Sequence, residues 1–334
     1  MFGVLASICF VIGTTGNTLT LVYFMSRRTK SINTLLYISI NSTDVLISIL
    51  IMCVGISHFN SNTPTLFSDN VFCNIWGILW NIAARMSVFL IAVLSISRTI
   101  SLIYPLRMHN MKHRNILVPV AMYFIIQVIQ ATIPYWYGVQ YQYSGYLTFC
   151  SWGLDDVVGW NTVAHKILVF ILIDLEFIAP LIPITGSCII CVYRLMKYED
   201  SEIASQPGMG EIRRSATLTI TLLTILYIVF NVPMCFYLIV FSVGVYDYTF
   251  QLPATLSIKT LNYLTIFAYI YTIALNSTCN TILYFTRIKE IREYVLRLIF
   301  PARWCKQPND TANTELRTGY ILMDREPLET ETQM

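Results

Sequence analysis

The feature that most constrains this chain is a series of seven apolar blocks, each long enough to form a helix that crosses a membrane. Such a helix needs about 20 mostly apolar residues. Hydrophobic residues make up 55% of the 334 residues and charged residues only 12%, which is about half of the charged share in soluble domains. The sequence therefore predicts an all-α membrane protein built on a seven-helix transmembrane bundle. The blocks cover approximately residues 3–26, 34–57, 71–104, 116–137, 165–193, 216–243 and 260–285.

Lys and Arg residues are distributed unevenly between the connections of these blocks. The connections on one side, with the C-terminal tail, contain most of them, whereas the opposite side contains only Lys166 and Lys259. Because Lys and Arg concentrate in cytoplasmic loops, the richer side is predicted to be cytoplasmic, with the N-terminus outside and the C-terminus inside. The richer side contains Arg27, Arg28, Lys30, Arg107, Lys112, Arg114, Arg194, Lys197, Arg213, Arg214, Arg287, Lys289, Arg292, Arg297, Arg303 and Lys306.

The chain after the seventh block begins with an amphipathic segment. Its apolar residues recur at helical spacing and its basic residues occupy the other face, a pattern typical of a helix that lies in the membrane interface. Cys305 follows in a basic juxtamembrane setting, which makes it a palmitoylation candidate; a free cytosolic thiol is the alternative. We predict a transmembrane bundle over residues 1–286, a juxtamembrane helix over 287–300 and a disordered cytoplasmic tail over 301–334.

Several classes of function are disfavoured by the sequence. No basic run is typical of a nucleic-acid patch, no paired aspartates or His and Glu ligands form a catalytic set, and no Cys and His spacing indicates a metal site. We therefore expect neither an enzyme nor a nucleic-acid-binding protein, and no cofactor other than the sodium ion considered below. A membrane transporter or channel remains the alternative to a receptor, although the internal repeats of many transporters are not evident.

Short motifs in the blocks carry a family resemblance. They are Gly16-Asn17, Asp44, Cys73, Ser97-Arg98-Thr99 with Ile103-Tyr104-Pro105-Leu106, Pro180, Pro233, and the run Leu275-Asn276-Ser277-Thr278-Cys279-Asn280-Thr281-Ile282-Leu283-Tyr284. In this order, each on its own helix, they resemble the motifs of the class A (rhodopsin-like) G-protein-coupled receptors over about residues 1–300. The resemblance implies a plasma-membrane receptor that binds an extracellular ligand and activates heterotrimeric G proteins.

The sequence departs from the family pattern at several of its motif positions. Ser97 replaces the usual acidic residue before the arginine, and Thr281 replaces the usual proline of the seventh helix. Asn231 stands where a tryptophan is common, Cys188 stands where the fifth helix usually has a tyrosine, and the fourth helix lacks its usual tryptophan. These departures suggest a divergent branch of the family.

Asp44 is an ionisable residue near the middle of the membrane, where a charge costs at least about 2.5–3.5 kcal/mol. By resemblance it belongs to a polar shell that binds a sodium ion, and oxygen ligands suit a hard cation. The alternative is a protonated Asp44 in a water-filled hydrogen-bond network. The members of the shell are Asn17, Asp44, Ser87, Asn276, Ser277 and Asn280.

The cytoplasmic end of the third helix is implied to contact the G protein. In the family, the arginine matched by Arg98 is released from its restraints and meets the G protein, while the tyrosine matched by Tyr284 moves in to support it. Ser97 and Thr99 flank the arginine in this sequence. The alternative for Arg98 is an ordinary anchor that follows the positive-inside rule.

Cys73 and Cys150 are the two cysteines that the predicted topology places outside the cell. Six others are in the spans, where cysteine behaves as a small apolar residue: Cys9, Cys53, Cys188, Cys191, Cys235 and Cys279. Because the extracellular side is oxidising, we predict a disulfide between Cys73 and Cys150. The bond would join the second outer loop to the third helix.

Arg85 lies about three turns inside Cys73, and an uncompensated arginine is costly at that depth. Asp174 and Glu176 lie in the outer half of the fifth helix, and we expect Arg85 to pair with one of them. In the alternative, both acids reach outward and Arg85 meets backbone carbonyls. The ligand pocket implied by the resemblance comprises Trp80, Asn81, Arg85, Asp174, Glu176 and Asn231.

The identity of the ligand is only partly constrained. Trp80 occupies the position where amine receptors have an aspartate, and Ala274 the position of the retinal lysine of opsins, so neither an amine nor retinal is expected. The second outer loop is aromatic over 135–146, and its alternation of tyrosines and polar residues up to Cys150 predicts a β-hairpin, a lid common in peptide receptors. An interfacial aromatic belt is the alternative. The outer loops contain slightly more acidic than basic residues, which favours a cationic ligand, and we expect a peptide.

The tail contains signals for regulation. Tyr320-Ile321-Leu322-Met323 fits the pattern that endocytic adaptors bind, and several exposed threonines are candidates for phosphorylation, which adds about −1.5 to −2 charge at each site. Arrestin and adaptors are therefore expected partners. The alternative is an unmodified, solvated tail.

Overall fold

The structure is a computed structural model that describes residues 2–27, 31–59, 70–104, 111–136, 141–144, 149–152, 179–199, 218–219, 221–232 and 258–299. Among the predicted features, Asp174, Glu176, Pro233 and the tail with Cys305 lie outside the described residues. The described part of the chain contains eight helices and one two-stranded sheet.

The helices follow the predicted blocks closely at the start of the chain. Four of them are long and apolar enough to cross a membrane, over Gly3–Ser26, Ile32–Ile56, Val71–Ile103 and Arg114–Thr132. The full set is α1 (Phe2–Ser26), α2 (Ile32–Phe59), α3 (Asn70–Ile103), α4 (Arg114–Trp136), α5 (Leu181–Glu199), α6 (Thr221–Val232), α7 (Ile258–Arg287) and α8 (Lys289–Ile299). The fifth and sixth blocks are described over only part of their predicted lengths.

Helix α3 lies at the centre of the described bundle. It packs against α2, α4 and α5, while α1 packs against α2 and α7, and α7 also contacts α2. Two apolar cores result. The first surrounds Trp76 and Trp80 in one half of the bundle, and the second surrounds Leu90, Leu94 and Tyr284 in the other half.

Two glycines allow α1 to approach its neighbours closely. A Cβ atom added to Gly13 would collide with the side chain of Ser48 on α2, and one added to Gly16 would collide with Thr281 on α7. Small residues at such contacts are typical of membrane helices, which associate by close packing because lipid is as apolar as their side chains. Gly16 therefore has a packing role beside Asn17.

The predicted β-hairpin is present. Strands β1 (Tyr141–Ser144) and β2 (Phe149–Trp152) pair antiparallel, with Tyr141 opposite Trp152 and Tyr143 opposite Cys150. Both strands contact α3. The hairpin is thus held against the same helix that begins with Asn70 and contains Cys73.

The amphipathic helix is also confirmed, with slightly shorter bounds. Helix α7 continues to Arg287, and α8 begins two residues later at Lys289. Ile291 and Val295 on α8 are buried, and the ring of Tyr294 lies 5.5 Å from that of Tyr23 on α1. The apolar face of α8 therefore rests against the bundle, whereas Arg292 and Arg297 are exposed.

Candidate functional site

Asp44 is fully buried, and helices α3 and α7 donate hydrogen bonds to its carboxylate. The amide of Asn280 donates to Oδ2 at 2.9 Å, and the hydroxyl of Ser87 donates to Oδ1 at 3.4 Å. Ser277 donates to the backbone carbonyl of Asp44 at 3.2 Å, and the α2 hydroxyl of Ser48 donates to the same oxygen at 2.8 Å. Three helices therefore meet at this carboxylate.

Hydrogen bonds connect all residues of the predicted polar shell except Asn276. The amide of Asn17 lies 3.4 Å from the carbonyl oxygen of Ser277 and 3.5 Å from its hydroxyl, which extends the network to α1. Asn276 is buried one turn before Asn280 but makes no described hydrogen bond to Asp44. The structure thus links Asn17, Ser87, Ser277 and Asn280 to Asp44 and leaves Asn276 beside them.

Several buried oxygen atoms in this region have no hydrogen-bond partner among the described residues. They are the Oδ1 atoms of Asn17, Asn276 and Asn280, and the hydroxyls of Thr14 and Thr281. An unsatisfied buried polar atom is costly, so these oxygens need donors or a cation that the described side chains do not supply. Carboxylate, amide and hydroxyl oxygens are suitable ligands for a hard cation. The donor set therefore fits a sodium ion, and it also fits water.

The C-terminal end of α3 is held by hydroxyl contacts. Ser97 donates to the carbonyl of Leu94 at 2.8 Å and lies 3.4 Å from Oδ1 of Asn33 on α2. Thr99 contacts the sulfur of Cys191 on α5 at 3.6 Å. Nε of Arg98, between them, is buried with no hydrogen-bond partner among the described residues.

One contact between α3 and α6 did not follow from the sequence motifs. The hydroxyls of Ser95 and Thr224 lie 3.2 Å apart, and both residues are buried. Tyr284 of α7 is buried nearby in the second core, with its ring edge on Tyr37 at 5.6 Å. Ser95 lies four residues before Thr99 and therefore on the same face of α3. This spacing from the arginine motif is the sequence signal that could have identified Ser95.

The predicted ligand pocket is closely packed around Trp80. Its ring stacks on Trp76 at 5.5 Å, and Nε1 of Trp76 donates to the carbonyl of Leu50 at 3.0 Å. Asn231 is buried and donates to the carbonyl of Tyr227, while the half-buried Asn81 donates to that of Gly77. Both asparagines bond within their own helices.

Arg85 is buried, and one of its contacts joins α3 to α4. Its Nη1 donates to Oε1 of Gln127 at 3.2 Å, and both residues are almost inaccessible. The predicted partners Asp174 and Glu176 lie outside the described residues, so pairing with them stays a prediction. The sequence analysis did not identify Gln127, although a polar residue in an apolar span is itself a signal of a buried partner.

Cys73 is buried and disulfide-bonded. Strand β2, which contains Cys150, contacts α3. The side chain of Cys150 lies outside the described side chains, so its disulfide with Cys73 stays a prediction. The described span cysteines Cys9, Cys53, Cys188, Cys191 and Cys279 are free, as expected.

The described helices and the polar cluster around a buried carboxylate define a multi-pass membrane protein of the seven-helix receptor class. The family model described as "7 transmembrane receptor (rhodopsin family)" matches residues 16–284. The chain belongs to this family. Many solved structures are similar in fold, among them the crystal structure of squid rhodopsin, with a TM-score of 0.64 and 18% sequence identity over 98% of this chain and 91% of that one. A comparison with curated proteins gave no match.

Family membership establishes the general function. The protein is a receptor of the plasma membrane that responds to an extracellular ligand and acts through a G protein. It is not an enzyme. The likeness to squid rhodopsin concerns the fold alone, and Ala274 stands at the position expected for the retinal lysine.

Proposed function

We propose that this receptor is activated by an extracellular peptide that contacts the β1–β2 hairpin. The observation that supports this is the hairpin itself, which contacts α3, the helix that contains Cys73. An ordered hairpin offers backbone groups and, in this sequence, Tyr141 and Tyr143. Tyrosines supply large contact areas at small conformational cost, which suits the recognition of a flexible chain.

The packing around Trp80 also favours a large ligand. Trp80 is 2% exposed and packs within the first core together with Trp76 and Tyr271. A small ligand at the depth of Trp80 would have to displace an indole ring from that core. A peptide instead gains its contacts nearer the outer surface, where the slight excess of acidic residues favours a cationic sequence.

The proposal is tested by a screen for activation with a peptide library and a matched library of amines and lipids. G-protein recruitment in cells is the readout. We expect hits among basic peptides, and we expect Tyr141→Ser with Tyr143→Ser to weaken them at unchanged surface expression. Activation by small molecules alone, with peptides inactive at the highest concentration, would contradict the proposal.

Arg98 is proposed as the principal contact for the G protein, supported by the family motif Ser97-Arg98-Thr99 and by its buried Nε, which has no hydrogen-bond partner among the described residues. Arg98→Ala should abolish G-protein recruitment while ligand binding persists. Arg114→Ala, a matched change on the same predicted side, should preserve recruitment. Equal losses in both variants would indicate a general charge effect and contradict a specific role of Arg98.

A sodium ion at Asp44 is proposed as an allosteric ligand. The support is the convergence of Ser87, Ser277 and Asn280 on Asp44, with unpartnered oxygens beside them. Sodium should weaken agonist affinity in membranes, and Asp44→Asn should remove that effect because a neutral amide attracts the cation less. Choline at equal ionic strength is the control. A sodium effect that survives in Asp44→Asn would exclude this site.

The proposed orientation places the N-terminus outside and the tail in the cytoplasm, where arrestin and endocytic adaptors would act. Its support is the distribution of Lys and Arg. Epitope tags at the two ends should be accessible on intact cells only at the N-terminus.

Truncation after Lys306 should slow internalisation, and a normal rate would show that the tail does not direct it. Cys305→Ser should remove palmitate labelling if that cysteine is acylated.

A further inference from the structure

Helices α1 and α7 meet along a seam where one side chain of α7 fits a gap on α1. A Cβ atom added to Gly16 would collide with the Cγ2 methyl of Thr281, and it would lie 3.2 Å from Cβ and 3.3 Å from Oγ1 of the same residue. Thr281 is 3% exposed. The space that the missing side chain leaves at Gly16, the Gly16 notch, is therefore filled by the methyl group of Thr281.

The hydroxyl of Thr281 gains no bond to the described chain in this arrangement. Its Oγ1 is buried and has no hydrogen-bond partner among the described residues. Thr278 on the same helix instead donates to the carbonyl of Ala274 at 2.8 Å, as helical threonines commonly do. The equivalent acceptor for Thr281 is the carbonyl of Ser277, which accepts the amide of Asn17 at 3.4 Å. The observed rotamer thus gains a methyl contact with α1 and leaves the hydroxyl unsatisfied.

A threonine side chain in a helix has two accessible rotamers, because its hydroxyl can bond to a carbonyl of the preceding turn. In the observed rotamer, the methyl of Thr281 lies in the Gly16 notch. Rotation about χ1 would let the hydroxyl donate within α7 but would remove the methyl from the notch. An unsatisfied buried hydroxyl and an empty cavity are both costly. Because these two costs oppose each other, the side chain is suited to be a two-state element.

The seam lies close to the part of α7 that is implied to act on the G protein. Tyr284 lies three residues after Thr281 and is fully buried, with its ring 5.6 Å from the ring of Tyr37 on α2. The motif resemblance implies that Tyr284 moves when the receptor signals. Since both residues lie on one continuous helix, a shift of α7 at Tyr284 also shifts Thr281 against Gly16.

We propose that Thr281 is a positioning residue that holds α7 against α1 in the resting receptor, and that its methyl leaves the Gly16 notch when the receptor signals. The position that usually carries a proline in the family thus carries a side chain that fastens α7 to a second helix. The proposal depends on G-protein coupling, which follows from family membership, and not on the proposed peptide ligand.

The test uses two substitutions that separate the methyl group of the threonine from its hydroxyl. Thr281→Val keeps a methyl in the notch and removes the unsatisfied hydroxyl, so it should raise the melting temperature of the purified receptor and should not raise basal signalling. Thr281→Ser removes the methyl, so it should lower the melting temperature and raise ligand-independent G-protein signalling roughly fivefold, the equivalent of one buried methyl group. Signalling is measured in cells at matched surface expression.

The notch itself is tested by moving the methyl group across the seam. Gly16→Ala places a methyl where that of Thr281 lies and should raise basal signalling. Gly16→Ala with Thr281→Ser leaves one methyl in the seam and should return signalling toward the wild-type level. Gly13→Ala, whose added Cβ would collide with Ser48 on α2, is the control, and Thr281→Ser should not rescue its loss of stability.

Three results would overturn the proposal. They are no rise in basal signalling with Thr281→Ser, a rise with Thr281→Val, and no recovery in the double variant of Gly16 and Thr281. Altered melting temperatures with constant signalling would show that the Gly16 notch is a packing contact alone. Because no ligand is added, each of these results leaves the proposed peptide function untouched.

Discussion

Helices α3 and α4 are both apolar enough to cross a membrane, yet their environments differ sharply. In the most apolar stretch of each helix, 56% of the residues of α3 are buried but only 11% of those of α4. Helix α3 contacts α2, α4 and α5, whereas α4 rests mainly on α3. Apolar composition therefore indicates that a segment enters the membrane but not whether it faces protein or lipid.

The polar residues of the two helices reveal the difference more clearly. Helix α3 buries Arg85, Ser87, Ser95, Ser97 and Thr99, each in contact with a named partner. Helix α4 buries Gln127 and Ala131, and its other residues from Ile116 to Ile129 are apolar or aromatic. Because a polar side chain cannot face hydrocarbon at low cost, polar residues mark the side of a span that contacts protein.

The largest predicted difference in stability is between the truncation of an aromatic side chain on α3 and the truncation of one on α4. Trp80 of α3 is 2% exposed, while Phe124 of α4 is 48% exposed. Trp80→Ala leaves a cavity in the core and should lower stability by about 3–5 kcal/mol, whereas Phe124→Ala should cost about 0.5 kcal/mol or less. Thermal unfolding of both variants in one detergent measures the difference. Similar melting temperatures would show that α3 is not the more constrained helix.

The hydrogen bond between Arg85 and Gln127 is the next effect in size, and it joins the two helices. A bond to a charged group contributes about 1.5–3 kcal/mol. A double-mutant cycle of Arg85→Leu and Gln127→Leu should return a coupling energy in this range, even if Arg85 also meets Asp174 or Glu176, since the cycle isolates one pair.

Gln130 supplies the matched control for that cycle. It lies three residues further along α4, and its Oε1 has no hydrogen-bond partner among the described residues. Gln130→Leu should be neutral or slightly stabilising and should show no coupling to Arg85→Leu. Coupling as large as that of Gln127 would mean that Arg85 stabilises α4 without using the observed contact.

Most of the fold could be predicted from the sequence because membrane helices obey simple rules. The length of the apolar blocks gave α1 to α4 nearly to their ends, and the amphipathic pattern gave α8 within two residues at its start. The hairpin followed from alternation of tyrosines with polar residues. The order of the helices around α3 could not be predicted from composition. Helix α4 is as apolar as a membrane-spanning helix must be, yet only 11% of the residues in its most apolar stretch are buried.

The site was predicted less completely. The family resemblance indicated a polar shell around Asp44, and the structure brings Ser87, Ser277 and Asn280 into contact with that residue because the helices that carry them are adjacent. It did not find the contacts between Arg85 and Gln127 or between Ser95 and Thr224. These pairs depend on the rotation of each helix about its axis, which side-chain packing determines and motif spacing does not encode.

A smaller effect is expected from the hydroxyl pair that joins α3 to α6. Ser95 and Thr224 are 3.2 Å apart and buried, and a neutral hydrogen bond contributes about 0.5–1.5 kcal/mol. By the family resemblance, restraints between helices three and six stabilise the resting receptor. Ser95→Ala should therefore raise basal G-protein signalling severalfold at matched surface expression. Ser101→Ala, further along the same helix, serves as the control, and unchanged output in Ser95→Ala would exclude the pair as a restraint.

The smallest predicted effect concerns charge at the C-terminal end of α3. In the family, the arginine matched by Arg98 is often restrained by two acids, but this chain has Ser97 at one position and Arg213 at the other, which aligns at the start of helix six outside the described residues. Neither can form an ion pair with Arg98, and Arg213 would repel it. Each missing pair at such a wet site is worth only about 0–1 kcal/mol, so the active state stays a minority that is enlarged by a factor of a few.

Introducing both acids should therefore lower basal output modestly. Ser97→Asp with Arg213→Glu restores the two partners of Arg98, and we expect basal G-protein signalling to fall up to about fivefold for each kilocalorie regained, with ligand binding unchanged. Helix α7 continues unbroken through Thr281. We expect the absence of the usual proline to stiffen this segment and oppose activation, so that the decrease starts from a modest basal output. Arg114→Glu at the start of α4 is the control, because α4 has no contact with Arg98 among the described hydrogen bonds. Equal or higher basal output in the double variant would show that the hydroxyl contacts of α3, rather than the missing acids, set the resting state.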